Sequence, residues 1–281
     1  MTHESPQFSD ADYQAFRTFL SQACGIVLGE NKQYLVANRM RRIMEQHGFA
    51  NLTSLVSRIH QGTVPHLKEA VIDAMTTNET FWFRDIAPFD TLRDVILPRL
   101  VLEEKRPSLR IWSAACSSGQ EPYSISMIID EFKARNPGAL MREPEIIATD
   151  ISMTVLNSAR LAEYDGLSVS RGLSEARRRQ FFDELAGGRY KLKDSIRQRV
   201  SFKQLNLQDN YAGLGRFDII FCRNVLIYFA ADFKADILRR MHGSLNPNSY
   251  LMLGASESLP GALNGLYTME RVSTNTSVYR S

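Results

Sequence analysis

An acid stands in this chain where a phosphate-binding turn would carry a cation. The stretch Ser113-Ala114-Ala115-Cys116-Ser117-Ser118-Gly119-Gln120-Glu121-Pro122-Tyr123 follows an apolar run. Its small residues suit a strand-to-helix turn, where backbone N–H groups can approach a ligand. It is not the dinucleotide fingerprint G-x-G-x-x-G, because Gly119 is its only glycine, and it lacks the Gly-Lys-Ser/Thr of a P-loop. No lysine is present to neutralise a triphosphate, and Glu121 would repel one. The turn therefore favours a cofactor that carries positive charge and no phosphate. S-adenosylmethionine, with an ammonium and a sulfonium, meets that description.

Four other segments carry polar groups with a use at such a site. Asp150 ends the apolar run Ile146–Thr149 and can accept hydrogen bonds from both ribose hydroxyls; its plain structural use would be a helix N-cap. In Asn206-Leu207 the amide can pair with an adenine edge and the leucine can cover the ring, although a simple turn is the plainer reading. In Asn78-Glu79-Thr80-Phe81-Trp82-Phe83-Arg84, Asn78 and Thr80 offer neutral hydrogen bonds and Arg84 can grip a carboxylate bidentately. The aromatics Phe81, Trp82 and Phe83 read as packing. In Cys222-Arg223-Asn224-Val225-Leu226-Ile227-Tyr228-Phe229, the pair Arg223-Asn224 has little structural reason to follow a strand. Tyr228 is read equally as a core residue with a satisfied hydroxyl or as a participant in the reaction.

Placing these groups together requires a parallel sheet, whose strands share a carboxyl edge where ligands bind. The chain alternates accordingly. Strand-like runs at Leu109–Ala114, Ile146–Ala148, Phe217–Cys222 and Tyr250–Leu253 are interleaved with helical ones at Pro122–Phe132, Met153–Leu161 and Asp232–His242. Pro88 opens a further helix carrying Phe89, Leu92, Val95, Ile96 and Leu100. Leu266–Val272 and Ser277–Tyr279 have no helix between them, which predicts an antiparallel pair at one sheet edge. Residues 163–204 interrupt the alternation with an Arg-rich helix, Ser174–Leu185, and strands Arg189–Lys193 and Gln198–Lys203. They predict a small β-rich insertion whose last strand rejoins the main sheet. Before the sheet, residues 1–75 read as four helices. In the first, Tyr13, Phe16, Phe19 and Leu20 form one stripe between a cap at Ser9 and a stop at Gly25. The others are Asn31–His47, Leu52–Ile59 and Val64–Met75. The predicted class is α/β, a doubly wound Rossmann-like sheet with an inserted β-subdomain. The predicted domains are an all-helical unit (1–75), a linker that joins the cofactor site (76–87) and the sheet domain (88–281).

Bulk properties exclude several alternatives. A formal net charge of +3 over 281 residues does not imply nucleic acid. No apolar run approaches the roughly 20 residues of a membrane span, and Met1–Pro6 has no secretory pattern. Cys24, Cys116 and Cys222 are too few and too scattered for a disulfide framework or a zinc site, and they read as small buried residues. No metal site is expected, and a reducing cytoplasm fits.

Taken together these strings resemble the CheR-type chemotaxis receptor methyltransferases. The similarity is carried by Thr77–Arg84, by Ile111–Ser124 with its Gly-Gln-Glu-Pro-Tyr-Ser, by Ala148-Thr149-Asp150-Ile151, by Phe217–Phe229 with its Cys-Arg-Asn-Val-Leu-Ile-Tyr-Phe, and by Leu253-Gly254-Ala255-Ser256-Glu257-Ser258-Leu259. The resemblance implies methyl transfer from S-adenosylmethionine to glutamate side chains of membrane chemoreceptors, with S-adenosylhomocysteine as product. It implies that Asn78, Thr80, Arg84, Glu121, Asp150, Asn206, Leu207, Arg223 and Asn224 contact the cofactor. Glu121 would meet its ammonium, Asp150 its ribose and Arg84 its carboxylate, while Tyr228, with Arg84, would serve the transfer centre. The partner would be the cytoplasmic helical region of a receptor, with room for regulatory proteins as well. Lys32, Arg39 and Arg42, spaced by seven and three residues, share a helix face that could dock an acidic receptor helix; the bland reading is a solvated face. The family associates the insertion near Leu192–Arg197 with tethering to a receptor's C-terminal peptide. The short, glycine-free stretch Lys193-Asp194-Ser195-Ile196 argues against a strong tether. Two other classes fit less well: a methyltransferase for another substrate, and a non-catalytic cofactor-binding scaffold.

Overall fold

A computed structural model describes residues 8–273 and 276–281 of the chain; the N-terminal stretch Met1–Pro6 lies outside the described residues. Helices α1 (Asp10–Cys24), α2 (Gln33–His47), α3 (Leu52–Gln61) and α4 (Leu67–Met75) pack around a common core. The stripe Tyr13, Phe16, Phe19 and Leu20 faces that core. Ser9 caps α1 by accepting from the Asp12 N–H, and Asp12 in turn accepts from the Thr53 hydroxyl at 2.6 Å, so the cap also ties α1 to α3. Gly25 ends α1 with φ +77, and a Cβ there would lie 2.2 Å from the Phe233 ring. Only glycine allows this close approach to the sheet domain.

Helix α5 (Ala87–Thr91) continues as wide-turn helical segments Leu92–Ile96 and Pro98–Glu103. The alternation then follows: β1 (Arg110–Ala114), α6 (Gln120–Arg135), β2 (Glu145–Asp150) and α7 (Met153–Leu161). The insertion contains β3 (Glu163–Asp165), α8 (Gly166–Ser170), α9 (Glu175–Phe181), β4 (Phe182–Leu185), β5 (Arg189–Leu192) and α10 (Asp194–Arg197). Last come β6 (Val200–Gln204), β7 (Phe217–Cys222), α11 (Ala231–Gly243), β8 (Leu245–Leu253), β9 (Thr268–Ser273) and β10 (Thr276–Arg280).

The main sheet has the order β6-β2-β1-β7-β8-β10-β9. The first five strands run parallel, and β10 and β9 form the antiparallel edge expected from the tail. Successive β1 side chains face opposite cores: Ile111 packs beneath α5 and α6, and Trp112 packs beneath α11. Both faces are covered, so the sheet is doubly wound. Register aligns Ala114 with Thr149 and Cys222, Asp150 with Gln204, and Cys222 with Leu253. The ends of five strands therefore share one edge, and the order reverses at β1/β7, where a crevice must open.

Inside the insertion two expectations are corrected. The predicted helix Ser174–Leu185 stops at Phe181, and Phe182–Leu185 is β4, paired to β5 in a three-stranded sheet β3-β5-β4. The Phe182 ring packs edge-on against Trp82 at 5.2 Å, which turns the chain out of helix. Lys193–Ile196 is not an open loop, because α10 begins at Asp194. The hairpin loop of the insertion is Ala186-Gly187-Gly188, with both glycines left-handed, so the argument from a glycine-free loop falls. The last strand, β6, does rejoin the main sheet beside β2. Among the described residues no helix is long and apolar enough to cross a membrane.

Candidate active site

The turn after β1 has three of its backbone donors engaged, two of them by the end of β2. Ala115, Ser117 and Gly119 are left-handed, with φ 58, 50 and 93. The Cys116 N–H donates to the Thr149 carbonyl at 2.9 Å, the Ser117 N–H to Asp150 Oδ2 at 2.8 Å, and the Gly119 N–H to the Cys116 carbonyl at 3.1 Å. Those three donors are not free for an anion, and the turn carries no basic side chain while Glu121 and Asp150 line the same crevice, which disfavours a phosphate. Glu121, in the first turn of α6, accepts from the Ser113 hydroxyl at 2.8 Å and from Arg223 Nη1 at 3.0 Å. Burial pushes its pKa up, and Arg223 and Ser113 oppose that push.

Asp150 is buried at the end of β2. Its two oxygens accept from the Ser117 and Ser152 N–H groups, and burial still raises its pKa above the ordinary carboxylate value. It is not the helix N-cap: Ser152 caps α7 by accepting from the Val155 N–H. Asp150 thus shapes the β1–α6 turn while lining the crevice.

The segment after β7 supplies five lining residues, of which Arg223, Asn224 and Tyr228 are polar. Arg223, whose side chain is 1% exposed, bonds Glu121, the Arg84 carbonyl (2.8 Å) and Asp85 Oδ2 (2.8 Å), and it stacks over Phe89. The expectation that Arg223 lacks a structural reason is corrected, since it knits β7, α6 and the linker together. Asn224 is left-handed (φ 58) and its N–H donates to Glu257 at 2.7 Å. Tyr228 is partly buried, and its hydroxyl bonds to no described residue. That removes the reading of a core tyrosine with a satisfied hydroxyl. Its carbonyl accepts from the Val27 N–H at 2.9 Å, and Ile26 bridges to Phe229 beside it.

The linker lies across the mouth. Asn78 is exposed, and its carbonyl accepts from the Ser117 hydroxyl. Arg84 donates to the Glu79 carbonyl, and its guanidinium sits over the Phe81 ring. Trp82 and Phe83 are buried as packing, and the Trp82 N–H bonds the Arg171 carbonyl of the insertion. Asn206 Nδ2 donates to the Ala23 carbonyl of α1 at 2.8 Å, so its amide N–H already joins the domains. Leu207 is buried. Arg39 does not project freely. It donates to the Met75 and Thr76 carbonyls at 2.7 and 3.0 Å, and to the Thr77 hydroxyl. Lys32 is exposed at the start of α2, and Arg42 is exposed and bonded to none of the described residues.

The cavity so formed holds about 280 Å³ between the helical domain, the linker and the sheet edge. Every residue expected to contact the cofactor lines it, as do Tyr228, Lys32 and Arg39; Arg42 does not. Burial raises all three thiols, Cys24 to about 11, so none is poised as a nucleophile. Sequence reasoning gave no role to Glu257, Asp85 or the Ile26–Leu28 strap. Glu257 carried a usable signal, since it follows β8 at the same sheet edge.

Comparison with known proteins bears on the same residues. The CheR methyltransferase all-alpha domain matches residues 11–76, and the CheR methyltransferase SAM binding domain matches residues 78–275. The chain is 54% identical over 250 residues to the chemotaxis protein methyltransferase Cher2 of Pseudomonas putida, covering 89% of this chain and 91% of that one. It is 55% identical to chemotaxis protein methyltransferase 1 of Pseudomonas aeruginosa over 251 residues, with the same coverage. It is 51% identical to a chemotaxis protein methyltransferase of Vibrio parahaemolyticus over 253 residues, 90% of this chain and 91% of that one.

Proposed function

This chain belongs to the CheR methyltransferase family, and from that premise we propose that it methylates glutamate carboxylates of membrane chemoreceptors, using S-adenosylmethionine. The observation that carries the cofactor assignment is the pairing of two acids, the partly buried Glu121 and the buried Asp150, with a turn that carries no basic residue and has three of its backbone donors engaged. A phosphate finds no cation in that turn and meets like charge; a cationic cofactor with a ribose finds partners. Glu121 would hold the ammonium, Asp150 the ribose, and Arg84 the carboxylate, with Leu207 covering the base. When bound, S-adenosylmethionine supplies a methyl group whose transfer breaks a carbon–sulfur bond and leaves S-adenosylhomocysteine.

The acceptor asks little acid–base chemistry of the protein. A glutamate in water is ionised at neutral pH, so no general base has to remove a proton. Positioning and exclusion of water are then the main contributions. Entering a partly apolar cavity raises the pKa of the acceptor and weakens it as a nucleophile. The Tyr228 hydroxyl, with no partner among the described residues, can donate to that carboxylate, keep it ionised and aim its second oxygen. Lys32 and Arg42 on α2 are suited to steer an acidic receptor helix toward the mouth.

The product decides the reading. Incubation with tritiated cofactor and receptor-bearing membranes should label the receptor with methyl esters, which release volatile methanol in alkali. Label that survives alkali, as a methylamine would, overturns carboxylate specificity. Absence of any incorporation overturns the enzymatic role.

A further inference from the structure

One carboxylate outside the cofactor contacts organises the loop that carries two of them. Glu257 follows β8, outside the lining of the pocket. Its Oε2 accepts from the N–H groups of Asn224 (2.7 Å) and Gly254 (2.8 Å), and its Oε1 from those of Val225 (3.0 Å) and Leu226 (2.8 Å). The last two residues lead into the 3-10 turn Leu226–Tyr228. Each carboxylate oxygen has two acceptor sites, so four donors use its full capacity. Asn224 is left-handed at φ 58, a conformation that asparagine tolerates better than other side chains and that the Glu257 bond to its N–H helps to hold.

A second observation marks the same junction. Gly254 has no room for a side chain. A Cβ there would lie 2.6 Å from Glu257 Oε2, 2.9 Å from the Asn224 backbone nitrogen and 3.0 Å from Asn224 Nδ2. The ends of β7 and β8 are therefore locked together around one carboxylate, with backbone donors from both. The side of Tyr228 away from this lock is held by Val27, whose N–H bonds its carbonyl.

We propose that Glu257 is a positioning residue for methyl transfer: it fixes the Asn224–Tyr228 loop so that the Tyr228 hydroxyl faces the acceptor while Asn224 faces the cofactor. This rests on the role given to Tyr228 above. The carboxylate performs no chemistry on the substrate. Its effect passes through four backbone N–H groups, and only an acceptor on both atoms can satisfy them. Glutamine preserves the shape and replaces one acceptor by an amide that points hydrogens at two donors.

The test is a double-mutant cycle in the full chain, with turnover on receptor membranes and cofactor affinity measured for each protein. Glu257→Gln should lower kcat by about tenfold or more and change cofactor Kd less than kcat, measured below its own thermal midpoint. Tyr228→Phe should lower kcat as well. In the double variant the losses should not multiply, because a misaimed hydroxyl and an absent one are equivalent. Wild-type turnover in Glu257→Gln, or losses that multiply in the double variant, overturns the proposal. Gly254→Ala, which crowds the same carboxylate without removing it, covers the case in which Glu257→Gln does not fold: it must reproduce the kcat loss, and normal turnover there overturns the proposal too. If Tyr228→Phe alone turns over normally, the role of Tyr228 falls, and Glu257 is then judged by whether Gly254→Ala and Glu257→Gln share one kcat deficit.

Discussion

Replacing Glu121 by glutamine isolates the charge that this site offers to a cationic cofactor. The change is nearly isosteric, the Ser113 hydroxyl keeps an acceptor, and Arg223 keeps Asp85 and the Arg84 carbonyl. The fold should survive. What disappears is the charged acceptor, 13% exposed, for the hydrogen bond that the cofactor's ammonium would donate. Such bonds contribute about 1.5–3 kcal/mol, and every 1.4 kcal/mol is about tenfold in affinity, so the cofactor should bind roughly 10- to 150-fold more weakly. Calorimetric titration with S-adenosylhomocysteine measures this directly. A second ligand sharpens it: the analogue lacking the α-amine. Wild-type protein should prefer the amine-bearing ligand by the same factor, whereas Glu121→Gln should hardly distinguish the two. Equal discrimination by both proteins would refute the ammonium role and leave Glu121 as no more than a partner for Arg223.

Two further outcomes follow from the geometry. Burial raises Glu121 from an ordinary value of 4.5 and Asp150 from 3.8. The native state therefore binds their protons more tightly than the unfolded chain does, and the ligand-free protein should lose stability as pH rises from those ordinary values through the raised ones. A cationic ligand offsets that loss, so the thermal shift given by S-adenosylmethionine should be larger at pH 7 than at pH 5; a shift that shrinks as pH rises contradicts the assignment. On the helical domain, Arg39→Glu should cost roughly 1–3 kcal/mol by stranding the Met75 and Thr76 carbonyls, while Arg42→Glu should leave stability unchanged and raise the receptor KM severalfold. Urea unfolding and receptor-methylation kinetics separate the two, and an unchanged KM in Arg42→Glu rejects the docking face.

The legible part of this molecule is the part fixed by local period and by strand ends. Met153–Leu161 and Phe217–Cys222 have the boundaries read from sequence, because each couples a clear period to a clear stop. Any polar residue that follows a parallel strand is delivered to the same edge, which is why Glu121, Asp150 and Asn224 could be placed before their partners were known. Partners are another matter. Phe182 reads as the end of an Arg-rich helix until Trp82, a hundred residues earlier in the chain, takes its ring. Asn206 reads as a turn or an adenine contact, and nothing near it in sequence announces that its amide also reaches Ala23 in the other domain. These contacts join elements distant in sequence, and no local pattern encodes them.

The same contacts bear on how cofactor binding and domain closure relate. Asn206, Arg39 and Arg223 all line the cavity, yet each is bonded to a segment that closes it: Asn206 to α1, Arg39 to the linker, and Arg223 to both the linker and Glu121. The Ile26–Phe229 bridge and the bond from Val27 to Tyr228 put the helical domain directly on the loop that follows β7. A ligand that contacts these side chains also holds the seam, and by linkage anything that tightens the seam tightens the ligand. Loss of affinity in a variant of Asn206 or Arg223 is therefore not by itself a measure of a direct contact, whereas Glu121, which reaches the seam only through Arg223, offers the cleaner reading.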